Sequence, residues 1–215
     1  MPFKFVRPTI CDSMDATKEC GGVIVPSFAV IGLLSSGKST YAGEIRDALK
    51  KEFRISVCLL PSFSVPISAV AREIFNSEDG PDGKPDRTLL QAIGNKMREI
   101  RPTVWADCLI RMVSEDKVPF VVEGFRHPSE LNAFRKSFTG IVVVRVDADE
   151  SQRMEAYRNK YGKYPTKEQL EDPSEKAVEE MTADLTLHNT FDREALARQM
   201  AGLVRDIRNG TLLRS

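Results

Sequence analysis

Eight consecutive residues constrain this chain more than any other feature. Residues 32–39 read Gly-Leu-Leu-Ser-Ser-Gly-Lys-Ser and satisfy G-x-x-x-x-G-K-[ST] without departure. The two glycines let the backbone curl tightly, so that successive N–H groups point inward and can cradle phosphate oxygens. Before the string stands the apolar run Phe28-Ala29-Val30-Ile31, which reads as a buried parallel strand. After it come Tyr41, Ile45, Ala48, Leu49 and Phe53, apolar positions at helical spacing from about Lys38. Strand, glycine loop and helix in that order put the loop at a helix N-terminus, where the backbone dipole favours an anion. By chance such a string arises roughly once in a hundred chains of this length, and the flanking pattern makes coincidence rarer still. The expectation is nucleotide binding, with ATP and Mg2+ as cofactors. Gly32, Leu33, Leu34, Ser35, Ser36, Gly37, Lys38, Ser39 and Thr40 would wrap the phosphates. Lys38 would reach the β- and γ-phosphates and the Ser39 hydroxyl would ligate Mg2+.

The remaining chain alternates between the two periodicities. Strands are expected at Ile55 to Leu60, Pro119 to Val122, Ile141 to Val146 and Leu185 to His188. Helices are expected at Ile67 to Phe75, Arg87 to Ile100, Thr103 to Val113, Pro128 to Phe138, Glu150 to Lys160, Ser174 to Met181 and Arg193 to Arg208. Asn76 to Asp86 and Tyr161 to Pro173 carry glycines and prolines and read as loops. Strands alternating with helices predict an α/β fold of three layers. Its central parallel sheet would have about five strands, with helices on both faces and a small lid. Residues 1–25 form an N-terminal extension of unclear structure, with a short strand near Phe3 to Val6. Residues 26–215 form the P-loop domain, with an acceptor-binding helical region at about 62–116 and the lid at about 158–175.

Charge narrows the partners. Lys and Arg number 31, Asp and Glu 31, so no broad basic field is available to hold a nucleic-acid backbone. That favours a small-molecule nucleotide acceptor and weakens, without removing, DNA as a substrate. No apolar run approaches the ~20 residues a membrane span needs. No positive-then-apolar leader is visible, so the expected location is cytoplasmic, as a monomer or a homodimer. Cys11, Cys20, Cys58 and Cys108 are scattered and read as reduced thiols rather than a zinc or disulfide framework.

Further candidates lie outside the glycine loop. Glu123 ends a strand in Val121-Val122-Glu123-Gly124-Phe125-Arg126, at the sheet edge where ligands bind. There it could hold a Mg2+-bound water or orient the acceptor, and Arg126 could clamp a phosphate. The plainer role is a strand-end carboxylate capping the helix at Pro128. Arg153 and Arg158 precede the Gly/Pro excursion and could close over the transferring phosphoryl group, or could simply be solvated. Arg72 and Arg98 sit within periodic helices above the acceptor side. Phe63 and Trp105 could stack on an acceptor base, although aromatic residues are more often core.

The chain resembles the nucleoside monophosphate kinase branch of the P-loop kinases. Val122-Glu123-Gly124-Phe125-Arg126 looks like that branch's D-G-x-x-R or D-G-F-P-R string, with Glu123 in place of Asp. Arg126 aligns if the intervening proline is absent. The Arg153-to-Arg158 helix and the excursion after it resemble the arginine-bearing lid. Asp184 to Asn189 resembles the A-D-x-x-x-x-N last strand of dephospho-coenzyme A kinase relatives. Two stretches look most like phage-type deoxynucleoside monophosphate kinases. One is Asp86-Arg87-Thr88-Leu89-Leu90-Gln91-Ala92-Ile93-Gly94, followed by Arg98, Pro102 and Trp105. The other is Arg126-His127-Pro128-Ser129-Glu130-Leu131, similar to R-x-P-x-E. The resemblance implies a three-layer P-loop kinase fold with a central parallel sheet, ATP, Mg2+ and a phosphate-bearing acceptor.

These readings converge on transfer of the γ-phosphate of ATP to a (deoxy)nucleoside monophosphate. Lys38 and the loop amides would spread the γ-phosphate charge, Arg153 and Arg158 would close from the lid, and Arg72, Arg98 and Arg126 would fix the acceptor. Two rivals stand beside it. One is a kinase for a hydroxyl acceptor, dephospho-coenzyme A or a hydroxymethylated nucleotide in DNA, with Glu123 as base. The other is a non-kinase regulatory ATPase.

Overall fold

The computed structural model describes residues 14–75, 86–113 and 118–212. The strand expected near Phe3 to Val6 and most of the loop read over 76–86 lie outside the described residues. In chain order the elements are β1 (Met14–Asp15), β2 (Lys18–Cys20), β3 (Val23–Val25), β4 (Ser27–Ile31), α1 (Lys38–Phe53), β5 (Cys58–Leu59), α2 (Ser64–Phe75), α3 (Arg87–Ile100) and α4 (Val104–Ile110). They continue as β6 (Phe120–Glu123), α5 (Pro128–Ser137), β7 (Phe138–Thr139), β8 (Ile141–Asp147), α6 (Glu150–Tyr161), α7 (Lys167–Leu170), α8 (Pro173–Glu179), β9 (Leu185–His188) and α9 (Arg193–Arg208).

The main sheet has five strands in the order β5-β6-β4-β8-β9, every neighbouring pair parallel. Successive side chains on its strands go to opposite faces and sort into two cores. Ala29, Ile31, Val122 and Val143 join a core with Phe63, Trp105, Phe134 and Val178. Phe28, Val30, Val121, Val142, Val144 and Val146 join a second core with Tyr41, Ile45, Leu49, Met200 and Leu203. The sheet is therefore covered by α1 and α9 on one side and by the α2–α5 group and α8 on the other, the three layers expected. The chain leaves central β4 toward β6 on one side and β8 on the other. The C-terminal edge of β4 is thus a topological switch point, where crossover helices diverge and leave a crevice.

Several stretches differ from the sequence reading: the excursion Tyr161 to Pro173 holds the short helix α7, and the helix expected over Thr103 to Val113 ends at Ile110. The strand expected over Ile55 to Leu60 is paired only at Cys58–Leu59. It is an edge strand with one neighbour, entered from Arg54 in a left-handed conformation, so only a short ladder on β6 forms. The segment before residue 26, whose structure the sequence left unclear, forms short strands where it is described. Gly21 and Gly22, with φ of 57° and 80°, close a two-residue hairpin between β2 and β3, as such turns require. β1 pairs in parallel with β7, and buried Ser27 ties the two layers by donating to the Ala16 carbonyl at 2.6 Å and accepting from Phe120 N–H at 2.9 Å. Among the described residues no helix is long and apolar enough to cross a membrane.

Candidate active site

The glycine loop runs from the end of β4 into the first turn of α1. A side chain at Gly32 would place its Cβ 2.4 Å from the Val146 carbonyl oxygen, so only glycine fits there. Gly37 is the N-cap of α1 with φ of 92°, and a Cβ on it would lie 2.3 Å from Asn189 Nδ2. Asn189 is the strut beneath the loop. Its Nδ2 donates to the Ser36 carbonyl at 2.9 Å, its Oδ1 accepts from Phe191 N–H at 2.8 Å, and its own N–H donates to the Asp147 carbonyl at 2.7 Å. Helix α1 has neither a side-chain cap on its first amides nor an acid in its first turn. Those amides have no partner inside the helix, and Ser36 Oγ is buried without one. A helix N-terminus left uncapped in this way suits a bound phosphate chain.

Lys38 folds back over the loop and donates to the Leu33 carbonyl at 2.8 Å. Burial, and next the Arg126 guanidinium, hold its ammonium at about 8 against an ordinary 10.5, while Glu175 and Glu123 pull the other way. Phosphate oxygens favour the charged form, so nucleotide binding raises this pKa. Above pH 8 the free protein has lost a proton that the bound form keeps. Binding of Mg-ATP therefore takes up protons, and it weakens above that pH by up to about tenfold per unit. Calorimetric titration at pH near 8.5 in two buffers of different ionisation enthalpy measures the uptake. Equal heats in both would contradict it.

A cavity of about 550 Å3 opens over the loop at the switch point. Ser35, Lys38, Ser39 and Thr40 form its floor, and Glu123, Gly124 and Arg126 rise from the end of β6. Opposite, α3 turns one face inward, with Gln91, Gly94, Asn95 and Arg98 recurring at helical spacing. Lys160 and Tyr161 of α6, Gln169 of α7, Asp172 and Glu175 complete the wall.

Two carboxylates organise the guanidiniums. Glu130 on α5 is fully buried. Its Oε1 accepts from Arg98 Nε at 2.8 Å, and its Oε2 accepts the backbone N–H groups of Arg126 at 2.8 Å and His127 at 3.2 Å. One acid thereby fixes the side chain of Arg98 and the backbone that carries Arg126. Glu175 on α8 accepts from Arg126 Nη1 at 2.7 Å and from Leu34 N–H at 2.7 Å.

The predicted residues separate accordingly. Lys38, Ser39, Glu123, Arg126 and Arg98 share one cavity. Phe63 touches it too, but its ring is buried against Phe125 and Phe134 at centroid distances of 4.9 and 6.2 Å, so little of its face is offered to a base. Trp105 is no stacking platform. It is buried in the core with its indole N–H donating to the Gly94 carbonyl at 3.2 Å. Arg72 lies exposed on α2, outside the cavity lining. Arg153 reaches the loop, donating to the Leu34 carbonyl at 3.3 Å, with its Nε buried and unpartnered. Arg158 is drawn away from the cavity by Glu155 at 2.7 Å and by the Tyr164 hydroxyl at 3.0 Å. The α6 cation that lines the cavity is Lys160, two residues on.

A second cavity of about 460 Å3 adjoins the first and shares Gly37, Thr40 and Phe191 with it. Tyr41, Glu44, Asn189, Leu196 and Ala197 supply its other walls. Phe191 is 45% exposed, with φ of 57°, a conformation uncommon for a bulky residue. Among the described residues no cluster of three or more His, Cys, Asp or Glu forms a metal cage. The Ser39 hydroxyl and the Glu123 carboxylate, the donors the sequence offered to Mg2+, both line the cavity. That is the sparse oxygen set of an ion held largely by water and substrate phosphates.

No family model matches this sequence, and no curated protein matches it. Solved structures do. The chain is similar to a putative kinase from Chloroflexus aurantiacus, with TM-score 0.52 and 16% identity over 86% of this chain and 96% of that one. It is similar also to a gluconokinase from Sinorhizobium meliloti 1021, with TM-score 0.50 and 17% identity over 88% of this chain and 98% of the other. What the chain shares with them is the fold, a five-stranded parallel sheet between two layers of helices. At such identities the likeness is one of architecture, and the chemistry rests on the residues above.

Proposed function

We propose that this protein is an ATP-dependent phosphotransferase that moves the γ-phosphate of ATP to a (deoxy)nucleoside monophosphate. The observation that carries the reading is the pairing of a complete P-loop with two anchored guanidiniums, Arg98 and Arg126, across one cavity. The triphosphate lies along the loop amides with Lys38 at its β- and γ-oxygens. The second cavity, edged by Phe191, receives the base of ATP. Arg98 holds the acceptor's phosphate, Arg126, beside Lys38, lies between that phosphate and the γ-phosphoryl group, and Gln91 and Asn95 face the acceptor's nucleoside.

An oxygen of the acceptor phosphate then bonds to the γ-phosphorus as the bond to the β–γ bridging oxygen breaks, and ADP leaves with the electron pair. That oxygen is already ionised, so no strong base is needed, and catalysis is positioning and charge stabilisation. Mg2+, held through Ser39 and Glu123, would neutralise charge on the β- and γ-oxygens.

Glu123 supports a second reading, because a carboxylate at this edge of the cavity can deprotonate a hydroxyl acceptor. Glu123→Gln separates the two. With a monophosphate acceptor kcat falls within about tenfold; with a hydroxyl acceptor general-base loss costs about a hundredfold or more. The assay that tests the leading reading is acceptor-dependent ADP release from Mg-ATP.

A further inference from the structure

Glu175 places a carboxylate inside an anion site. It projects from α8 and is 7% exposed. Its two oxygens take Leu34 N–H and Arg126 Nη1, each at 2.7 Å, across sequence separations of 141 and 49 residues. Leu34 belongs to the glycine loop, and Arg126 stands near Lys38 at the end of β6. A backbone amide of a P-loop and a guanidinium beside its lysine are the donors a terminal phosphoryl group needs. A carboxylate accepts from such donors in the same way a phosphate does. Both anions cannot hold them together, because like charges in one site repel.

We infer that Glu175 is a positioning residue that stands in for the γ-phosphoryl group, yielding Leu34 N–H and Arg126 to ATP and reclaiming them when the site empties. The inference rests on the ATP reading above and adds to it. Two consequences follow from competition for the same donors. Apparent ATP affinity is lowered by the fraction of molecules in which the carboxylate holds the site. Arg126 is also withheld part of the time from the γ-phosphate, which selects against water as acceptor. In that side reaction a water oxygen bonds to the γ-phosphorus, the bond to the bridging oxygen breaks, ADP leaves with the electron pair and the water proton passes to solvent.

The test compares the full-length protein with Glu175→Gln, Glu175→Asp and Glu179→Gln, the last an exposed acid on the same helix. Two quantities are measured: affinity for a non-hydrolysable Mg-ATP analogue, and ADP release from Mg-ATP without acceptor. Glu175→Gln is expected to bind about tenfold more tightly and to release ADP several-fold faster. Glu179→Gln should match the parent. Glu175→Asp keeps the charge but is too short to bridge both donors, so it too tightens binding, by less. Unchanged or weaker binding in Glu175→Gln, with an unaltered melting temperature, would make Glu175 a brace for the loop and end the inference. Tight binding in Glu175→Gln but parental binding in Glu175→Asp would also end it, since charge alone would then account for the effect. A parent protein that binds no Mg-ATP analogue at all would overturn the proposed function itself, which keeps the two failures apart.

Discussion

Lys38→Ala is expected to lower the rate of phosphoryl transfer by about a hundred- to a thousandfold and to leave the fold intact. The asymmetry comes from what the ammonium touches. In the folded chain Nζ donates to one backbone carbonyl, that of Leu33, and burial first, with Arg126 next, lowers its proton affinity. Removing it therefore relieves as much as it forfeits in the empty protein. In the reacting complex it faces charge that moves onto the β–γ bridging oxygen, in a site where water cannot substitute. The turnover number and the calorimetric melting temperature, measured on the same preparation, check both halves. A near-normal rate would remove the P-loop from the chemistry.

Glu130→Ala carries the largest expected effect on stability, about 3–5 kcal/mol. The carboxylate is fully buried and satisfies three donors: Arg98 Nε and the amides of Arg126 and His127. Its loss strands the Arg98 guanidinium, whose side chain is 12% exposed, without its countercharge. The Arg98 side chain and the backbone that carries Arg126 are then released together, so under the proposed function KM for the acceptor should rise with the loss of stability. Urea unfolding at neutral pH gives the first quantity and acceptor titration the second. A cost below about 1 kcal/mol, the range of a surface pair, would mean that Arg98 finds solvent, and the anchoring account would fail.

The parts of this fold that were legible in the sequence are those where the backbone or a single periodicity dictates the residue. Gly32 and Gly37 are demanded by close contacts with Val146 and Asn189, so the loop announces itself as a pattern. Arg87–Ile100, Leu185–His188 and Arg193–Arg208 have the bounds their apolar spacing predicts. Strand β5 is shorter than its apolar run because pairing, which depends on a neighbour, decides where an edge strand ends. Trp105 shows a limit of residue type: an aromatic side chain beside a site reads the same whether it faces the ligand or the core, and here the Gly94 carbonyl claims its only donor.

The acids were the least legible. Glu130 was visible only as the last letter of an R-x-P-x-E string, and Glu175 not at all. Each draws its meaning from partners brought near by the sheet: Arg98, 32 residues away, for one, and Leu34, 141 residues away, for the other. Arg158 illustrates the same point in reverse, since Glu155 and Tyr164, both close in sequence, capture it before it can reach the cavity.

The central claim, that a P-loop cavity here passes phosphate from ATP to a nucleotide acceptor, is tested most directly by following ADP release with Mg-ATP across an acceptor panel. The panel holds ribo- and deoxynucleoside monophosphates, nucleosides, dephospho-coenzyme A and DNA with and without hydroxymethylated bases. The account predicts strong stimulation by one or a few monophosphates, lost in Lys38→Ala. Stimulation only by a hydroxyl acceptor would transfer the site chemistry to Glu123 and contradict the monophosphate assignment. A flat panel with intact Mg-ATP binding would contradict phosphotransfer altogether and leave a nucleotide-binding regulatory ATPase.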